Sequence, residues 1–97
     1  MKQTMKILAV GDVVGRPGRD ILESKLQGII DGKRIDMVIV NGENASGGMC
    51  LTSNIARSFF QRGVNVITSG NHIWDNKDIH EILDSEPALL RPANYPE

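Results

Sequence analysis

The sequence has a single cysteine, Cys50, and no apolar run long enough to cross a bilayer. One thiol excludes an intramolecular disulfide and a thiolate metal site, and a membrane span needs about 18 or more apolar residues in a row. The stretch Ile7–Val10 is the only apolar segment near the start, and Gly11-Asp12 interrupts it too early for a signal peptide. We therefore expect a cytosolic protein with no membrane contact.

A large charge of one sign is also lacking, because the 97 residues carry a net charge of −1. Non-specific nucleic-acid binding depends on a basic surface that neutralises phosphates, so we expect no stable nucleic-acid complex. A small phosphorylated ligand is still compatible with this composition. With 40% hydrophobic residues, a chain of this length can bury one modest core, which predicts one domain over residues 1–97.

Short apolar segments alternate with helical patterns along the chain. This order is typical of βαβ units and predicts an α/β domain built on a mostly parallel sheet. The predicted strands are Lys6–Val10, Asp36–Val40, Val64–Thr68 and a shorter one at Ala88–Leu90, and the predicted helices are Arg19–Asp31, Thr52–Arg62 and a third that begins at a cap on Asp75 or Asn76 and ends before Pro87.

Two glycines follow helical patterns in the position that typically ends a helix, Gly32 after the first and Gly63 after the second. Asn65 interrupts the third strand and weakens it. The first helix is expected to turn five apolar residues inward: Ile21, Leu22, Leu26, Ile29 and Ile30.

A polar loop follows each predicted strand. The carboxyl ends of parallel strands lie along one edge of a sheet, so these loops are expected to converge. Two carboxylates placed side by side repel each other, and a divalent cation removes that repulsion. Carboxylate, amide and imidazole ligands suit Mg, Mn, Fe or Zn. The converging residues are Asp12, Glu43, Asn44, Asn71 and His72, with Asn41 and Asn94 within reach.

Each loop taken alone is also typical of a polar turn, because Asp, Asn and Gly cap helices and tolerate left-handed backbone. Three such loops in register favour a site. The segment Gly15–Arg19 has neither the spacing of a dinucleotide-binding loop nor the ending of a P-loop, and its two arginines either contact phosphate or face solvent. His80 is interpreted as a surface residue, and Trp74 as a packing residue or a pocket wall.

Four motifs in order resemble the YmdB-like branch of the calcineurin-like metallophosphoesterases. The resemblance implies the first half of a four-layer α/β/β/α sandwich and the activity of a bacterial cytosolic phosphodiesterase on 2′,3′-cyclic nucleotides. It also implies two divalent metal ions, Fe or Mn, with Mg or Zn as alternatives. The motifs are GDVVGRPGR at Gly11–Arg19, NGENA at Asn41–Ala45, GNHIWD at Gly70–Asp75 and LRPANYP at Leu90–Pro96.

Carried over residue by residue, the resemblance makes Asp12 a ligand of one metal and Glu43 a carboxylate shared by both. Asn71 would bind the second metal, and Asn44 would be a ligand or a phosphate contact. His72 would be the general acid that protonates the leaving oxygen. The expected substrate contacts are Asn44, Arg16 and Asn94.

The wider superfamily has a histidine where Val14 stands and an aspartate where Glu43 stands, and the YmdB-like branch shares both departures. The wider superfamily also takes further metal-binding histidines from a later part of the chain, whereas this sequence has only His72 and His80. We therefore expect the N-terminal portion of a single, truncated metallophosphoesterase domain.

The uncovered sheet of such a portion predicts a homo-oligomer or association with another chain. Two alternatives stay open at this point. One is a non-catalytic metal-binding, phosphate-binding or assembly module. The other is a phosphomonoesterase of the same superfamily.

Overall fold

A computed structural model of the chain describes residues 4–47, 50–75 and 77–93. Strands and helices alternate, as predicted, and the α/β class is confirmed. Within the described residues, no helix is both long enough and apolar enough to traverse a bilayer. The elements are β1 (Ile7–Val10), α1 (Gly15–Lys33), β2 (Met37–Asn41), α2 (Ser53–Gln61), β3 (Val66–Thr68), a 3₁₀ helix (Asn71–Asp75) and α3 (Ile79–Ser85).

The three strands form a parallel sheet in the order β1-β2-β3. The predicted fourth strand at Ala88–Leu90 is reduced to a single parallel bridge between Ile67 and Leu89. Two hydrogen bonds of 2.9 Å make this bridge, one from Ile67 N–H to the Ala88 carbonyl and one from Leu90 N–H to the Ile67 carbonyl. The segment therefore lies where a fourth parallel strand would lie, beside β3.

Both crossovers move along the sheet in the same direction, so right-handed connections place α1 and α2 on the same face. Burial along the strands agrees with this arrangement. Val38, Val40 and Ile67 are almost completely buried in the core, whereas their neighbours Ile39 and Val66 are only partly buried. The two helices therefore cover one face of the sheet, and the other face is half exposed. The core also contains Leu22, Leu26, Leu51, Ala56, Phe59, Ile73, Ile79, Ile82 and Leu89.

Helix α1 differs from the prediction at both ends. It begins at Gly15, because Pro17 falls in the first turn, where a missing N–H costs nothing. It runs through Gly32 and ends where Arg34 adopts left-handed backbone with φ 54°, so the prediction that Gly32 ends this helix is wrong. The prediction that Ile21 turns inward is also wrong, because its side chain is 66% exposed.

Helix α2 agrees closely with the prediction. Thr52 is its N-cap and accepts a hydrogen bond of 3.3 Å from Ile55 N–H. Gly63 follows the helix with φ 108°, a conformation that glycine adopts without strain. Strand β3 begins at Val66 rather than Val64. The Val38 N–H donates a 2.8 Å hydrogen bond to the Asn65 side chain instead of to a backbone carbonyl of the neighbouring strand, so regular strand pairing starts only after Asn65.

The third helix starts later than predicted. Residues Asn71–Asp75 form a 3₁₀ helix, and α3 begins at Ile79 with Asp78 as its N-cap residue. The predicted cap on Asp75 is therefore wrong, and the alternative, Asn76, lies outside the described residues. Helix α3 ends at Ser85, two residues before Pro87, as predicted.

Candidate active site

The loops that follow β1, β2 and β3 meet at the carboxyl edge of the sheet. Backbone hydrogen bonds join them in order, from Val13 N–H to the Asn41 carbonyl at 3.2 Å and from Gly42 N–H to the Thr68 carbonyl at 3.0 Å. Parallel strands cause this arrangement, because each strand delivers its loop to the same edge.

Side chains connect the first two loops directly. The amide nitrogen Nδ2 of Asn44 donates hydrogen bonds to both carboxylate oxygens of Asp12, at 3.0 and 3.1 Å. An ionised carboxylate only accepts, so the amide oxygen of Asn44 must face away from Asp12. That oxygen lies 3.3 Å from Nδ1 of His72. Asn44 therefore links the loop after β1 to the loop after β3.

Two residues, Asn44 and Glu43, hold His72 in place. Its backbone N–H donates to Glu43 Oε2 at 2.9 Å, and its Nδ1 lies 3.6 Å from the same oxygen. Because Asn44 presents an acceptor, the proton of the neutral ring belongs on Nδ1. The His72 side chain is 37% exposed and the Glu43 side chain 16%, so a ligand at this edge can reach the imidazole.

Gly70 leaves the space that the Glu43 carboxylate occupies. A Cβ atom on Gly70 would lie 2.6 Å from Glu43 Cδ and closer still to both carboxylate oxygens. Heavy atoms pack at about 3.5 to 4 Å, so any side chain here would displace the carboxylate. The glycine of the GNH motif is therefore explained by the close approach of a residue from the neighbouring loop.

Three further residues were predicted to belong to the site: Asn71, Arg16 and Asn94. Asn71 is exposed and begins the 3₁₀ helix, directly before His72 in the chain. The Arg16 side chain is 83% exposed and lies 3.9 Å from Asp20. Asn94 lies outside the described residues. The roles assigned to these three residues stay predictions.

Two residues near the site have structural contacts. Asn41 Oδ1 accepts a 3.2 Å hydrogen bond from Glu43 N–H and so shapes the turn that carries Glu43. The rings of Trp74 and His80 pack edge to face with their centroids 5.9 Å apart, and His80 is exposed. The interpretation of His80 as a surface residue is confirmed, and Trp74 is a packing residue.

The side-chain oxygens at this edge could form part of the ligand set of a hard divalent cation. Asp12 and Glu43 offer carboxylate oxygens, and Asn44 and Asn71 carry amide oxygens. Over residues 4–47, 50–75 and 77–93, neither carboxylate is paired with a lysine or arginine, and Glu43 Oε2 lies 3.6 Å from Nδ1 of His72. In the same ranges no three His, Cys, Asp or Glu side chains are grouped so that they could bind a metal. Amide ligands, or ligands from outside these ranges, are needed to complete a site.

Two contacts of this site were not found by reasoning from the sequence. One is the fit of Glu43 against Gly70. The other is a 2.6 Å hydrogen bond from Arg19 Nη1 to the Ala45 carbonyl, which ties α1 to the loop after β2. The GRPGR motif drew attention to Arg19, but its partner Ala45 could not be identified from the sequence because it lies 26 positions away.

Comparison with known proteins finds several relatives of this chain. The chain is 46% identical over 93 residues to a 2′,3′-cyclic-nucleotide 2′-phosphodiesterase of Bacillus subtilis (strain 168), a match that covers 96% of this chain and 35% of the relative. Its fold is similar to a crystal structure described as a novel phosphatase from Mycoplasma pneumoniae, with a TM-score of 0.90 and 34% identity over 99% of this chain and 34% of that one. A hypothetical protein from Thermus thermophilus has a similar crystal structure, with a TM-score of 0.87 and 41% identity over 95% of this chain and 35% of that one.

The extent of these matches and the match to a family model define what the chain is. The chain spans about a third of the length of the relatives that it matches. The family model described as YmdB-like protein matches residues 8–97, which include all of the residues brought together at the carboxyl edge of the sheet. The chain therefore belongs to the YmdB-like protein family.

Proposed function

We propose that this chain supplies part of the active site of a cytoplasmic, metal-dependent phosphoesterase. The proposed reaction is hydrolysis of phosphodiester bonds in small nucleotides such as 2′,3′-cyclic nucleotides. The observation that carries the proposal is the continuous contact from Asp12 through Asn44 to His72 and Glu43 at one edge of the sheet. Similarity to the phosphodiesterase of Bacillus subtilis supports the substrate class.

Asp12, Glu43, Asn44 and Asn71 are the residues that would hold two divalent cations, with Fe or Mn as the first candidates and Mg or Zn as alternatives. Such cations lower the pKa of a bound water and neutralise charge on a phosphoryl group when they are present. The two carboxylates bring negative charge to one edge, and no lysine or arginine of the described ranges is paired with either of them. This local negative charge supports a cation site.

His72 is the proposed general acid. Asn44 and Glu43 hold its Nδ1 side, so the ring is kept in one orientation. In the imidazolium form both ring nitrogens carry a proton, and the one on Nε2 is the proton that the leaving oxygen would receive, which leaves the neutral ring with its proton on Nδ1. A proton given to the leaving oxygen by a positioned histidine typically accelerates such a step about 10²–10⁴-fold. Substrate contacts from Asn44, Arg16 and Asn94 complete the proposal.

The test compares His72→Ala and Glu43→Ala in the longest open reading frame that contains these residues. We expect His72→Ala to retain bound Mn²⁺ but to hydrolyse 2′,3′-cyclic AMP about 10²–10⁴-fold more slowly, and Glu43→Ala to lose both metal and turnover. Exposed His80 and Glu81 provide the matched controls His80→Ala and Glu81→Ala, which are expected to behave as the wild type. Equal loss of metal in the His72 and Glu43 variants would contradict the assigned roles.

A second candidate function is a non-catalytic assembly module, and the half-exposed face of the sheet favours it. Ile7 is 52% exposed on the edge strand β1, and Ile39 and Val66 are only partly buried. Such a module would bind Mn²⁺ in less than one equivalent and would self-associate. Sedimentation and metal analysis of the same sample separate it from the enzyme. Comparing 2′,3′-cyclic AMP with a 3′-phosphomonoester separates the diesterase from a phosphomonoesterase.

A further inference from the structure

Arg19 makes a contact that the proposed function does not use. It lies in the second turn of α1, partly buried, and its Nη1 donates a 2.6 Å hydrogen bond to the carbonyl of Ala45. Ala45 is fully buried and directly follows Glu43 and Asn44 in the chain. Hydrogen bonds from a charged donor are shorter and stronger than neutral ones, and this one is short.

A second contact holds the neighbouring carbonyl. The backbone N–H of Gly15, the first residue of α1, donates a 3.0 Å hydrogen bond to the Asn44 carbonyl. The start of α1 therefore holds two consecutive peptide oxygens, those of Asn44 and Ala45. The orientation of these peptide groups sets the direction in which the Asn44 side chain leaves the backbone, towards Asp12 on one side and His72 on the other.

We propose that Arg19 is a positioning residue that holds the Glu43–Asn44 turn in the geometry the metal ligands require. The proposal rests on the proposed function, because it concerns the ligands of that site. The sequence left open whether the two arginines of GRPGR contact phosphate or face solvent, and the structure gives them different roles. Arg19 acts inward on the protein backbone, whereas the Arg16 side chain is exposed, which is compatible with its proposed contact to substrate.

An arginine suits this task better than a lysine. The planar guanidinium carries several donors in a fixed geometry and is weakly hydrated, so it can place one N–H on a buried carbonyl from the end of a partly buried side chain. An ammonium is a compact and strongly hydrated charge, which makes it a poorer donor at the same position. The conservative variant Arg19→Lys is therefore expected to restore the function only in part.

The first readout is Mn²⁺ affinity, measured by titration calorimetry in the longest open reading frame that contains these residues. Partners that orient metal ligands typically change affinity about 10–100-fold when they are removed. We expect Arg19→Met to weaken Mn²⁺ binding at least 10-fold and Arg19→Lys at least threefold. Saturating Mn²⁺ should restore turnover of Arg19→Met, and KM for 2′,3′-cyclic AMP should stay unchanged. Arg57→Met, an exposed arginine of α2, is the matched control for affinity.

The second readout uses metal-free protein, so it does not depend on the proposed function. Loss of the Arg19 contact should loosen the turn, and amide hydrogen exchange at Gly15 should become at least tenfold faster while exchange at the core strand residue Val40 stays unchanged. If Arg19→Met does not fold, Arg19→Lys carries both measurements.

Three results would overturn the proposal. The first is Mn²⁺ affinity within twofold of the wild type in every folded Arg19 variant. The second is a rise in KM with unchanged metal affinity, which would make Arg19 a phosphate contact. The third is unchanged amide exchange at Gly15 in every folded Arg19 variant. A wild type that binds no Mn²⁺ would instead overturn the proposed function, and faster exchange at Gly15 would then still show that Arg19 holds the turn.

Discussion

The space of a Cβ atom on Gly70 is filled by the carboxylate of Glu43. The two residues come from different loops, and they meet because β2 and β3 are parallel neighbours. The same carboxylate accepts the backbone N–H of His72, so its position also sets the start of the 3₁₀ helix. One close approach thus couples a predicted metal ligand to the predicted general acid.

We predict that Gly70→Ala displaces Glu43 and weakens Mn²⁺ binding strongly. The new methyl group would lie 2.6 Å or less from the carboxylate atoms, so the carboxylate has to move. The three heavy atoms nearest to the new methyl group all belong to Glu43, so the far-UV circular dichroism spectrum should be preserved. Gly11→Ala is the matched control, since a Cβ there meets nothing within 4 Å. Unchanged metal affinity in Gly70→Ala would show that the position of Glu43 is unimportant.

Asp78→Asn is predicted to lower the thermal stability of the chain at neutral pH. The Asp78 carboxylate accepts hydrogen bonds from Ser53 Oγ at 2.7 Å and from Ser53 N–H at 2.9 Å, and these bonds lower the pKa of Asp78. A carboxyl with a lowered pKa stabilises the folded state above its ordinary pKa of about 3.9, and the contribution disappears as the pH falls through the lowered value.

The pH dependence provides the check on this prediction. The difference in Tm between wild type and Asp78→Asn should be largest near pH 7 and should shrink below about pH 4. Asp84→Asn, an exposed acid of the same helix, should show no such pattern. A difference that stays constant from pH 7 to pH 3 would mean that the ionised carboxylate is not the stabilising group.

Two glycine substitutions are predicted to change stability in opposite directions. A Cβ on Gly42 would lie 2.9 Å from Ile67 Cγ2 inside the core, and overpacking of this kind typically costs about 1–3 kcal/mol. A Cβ on Gly28, within α1, meets nothing within 4 Å, and replacing a helical glycine by alanine typically stabilises by about 0.5–1 kcal/mol. Urea denaturation of Gly42→Ala and Gly28→Ala measures both effects, and equal midpoints would contradict the tight packing of Gly42 against Ile67.

Removal of metal is predicted to destabilise the protein that carries this site. A ligand at about 100 times its Kd stabilises the folded state by about 2.7 kcal/mol, so Mn²⁺ should raise Tm and excess EDTA should reverse the change. Asp12→Asn is expected to abolish this response. Asp20→Asn removes an exposed acid 3.9 Å from Arg16 and should leave the response intact. A rise in Tm that persists in Asp12→Asn would place the cation elsewhere.

Much of the fold could be predicted because it depends on local patterns. Runs of apolar residues marked β1 and β2, and Thr52 and Gly63 marked the ends of α2. The end of α1 could not be predicted in the same way. A glycine favours a helix end, but at an exposed position within a helix it costs only about 1 kcal/mol, and here the helix continues to Arg34, whose N–H donates to the Ile30 carbonyl.

The loop residues that meet at the site could be named from the sequence, but their contacts could not. Direct contact between Asn44 and Asp12 joins positions 32 apart, and the bond from Arg19 to Ala45 joins positions 26 apart. Asp78 illustrates the same limit, because a polar residue placed to cap its own helix instead binds the start of α2. Sequence spacing indicates which residues share an edge, whereas packing decides which atoms touch.

The parallel arrangement of the sheet also has a consequence for how the chain reaches its native state. Lys6 and Asp36, which bond at the start of the first strand pair, are 30 positions apart, and no hairpin joins the three strands of the described residues. Every pairing of these strands must therefore wait for a long loop to close, which is typical of high contact order and slow folding. Nascent chains of this type expose apolar strands for longer than a helical bundle does, and for this chain we expect refolding yield to fall as protein concentration rises.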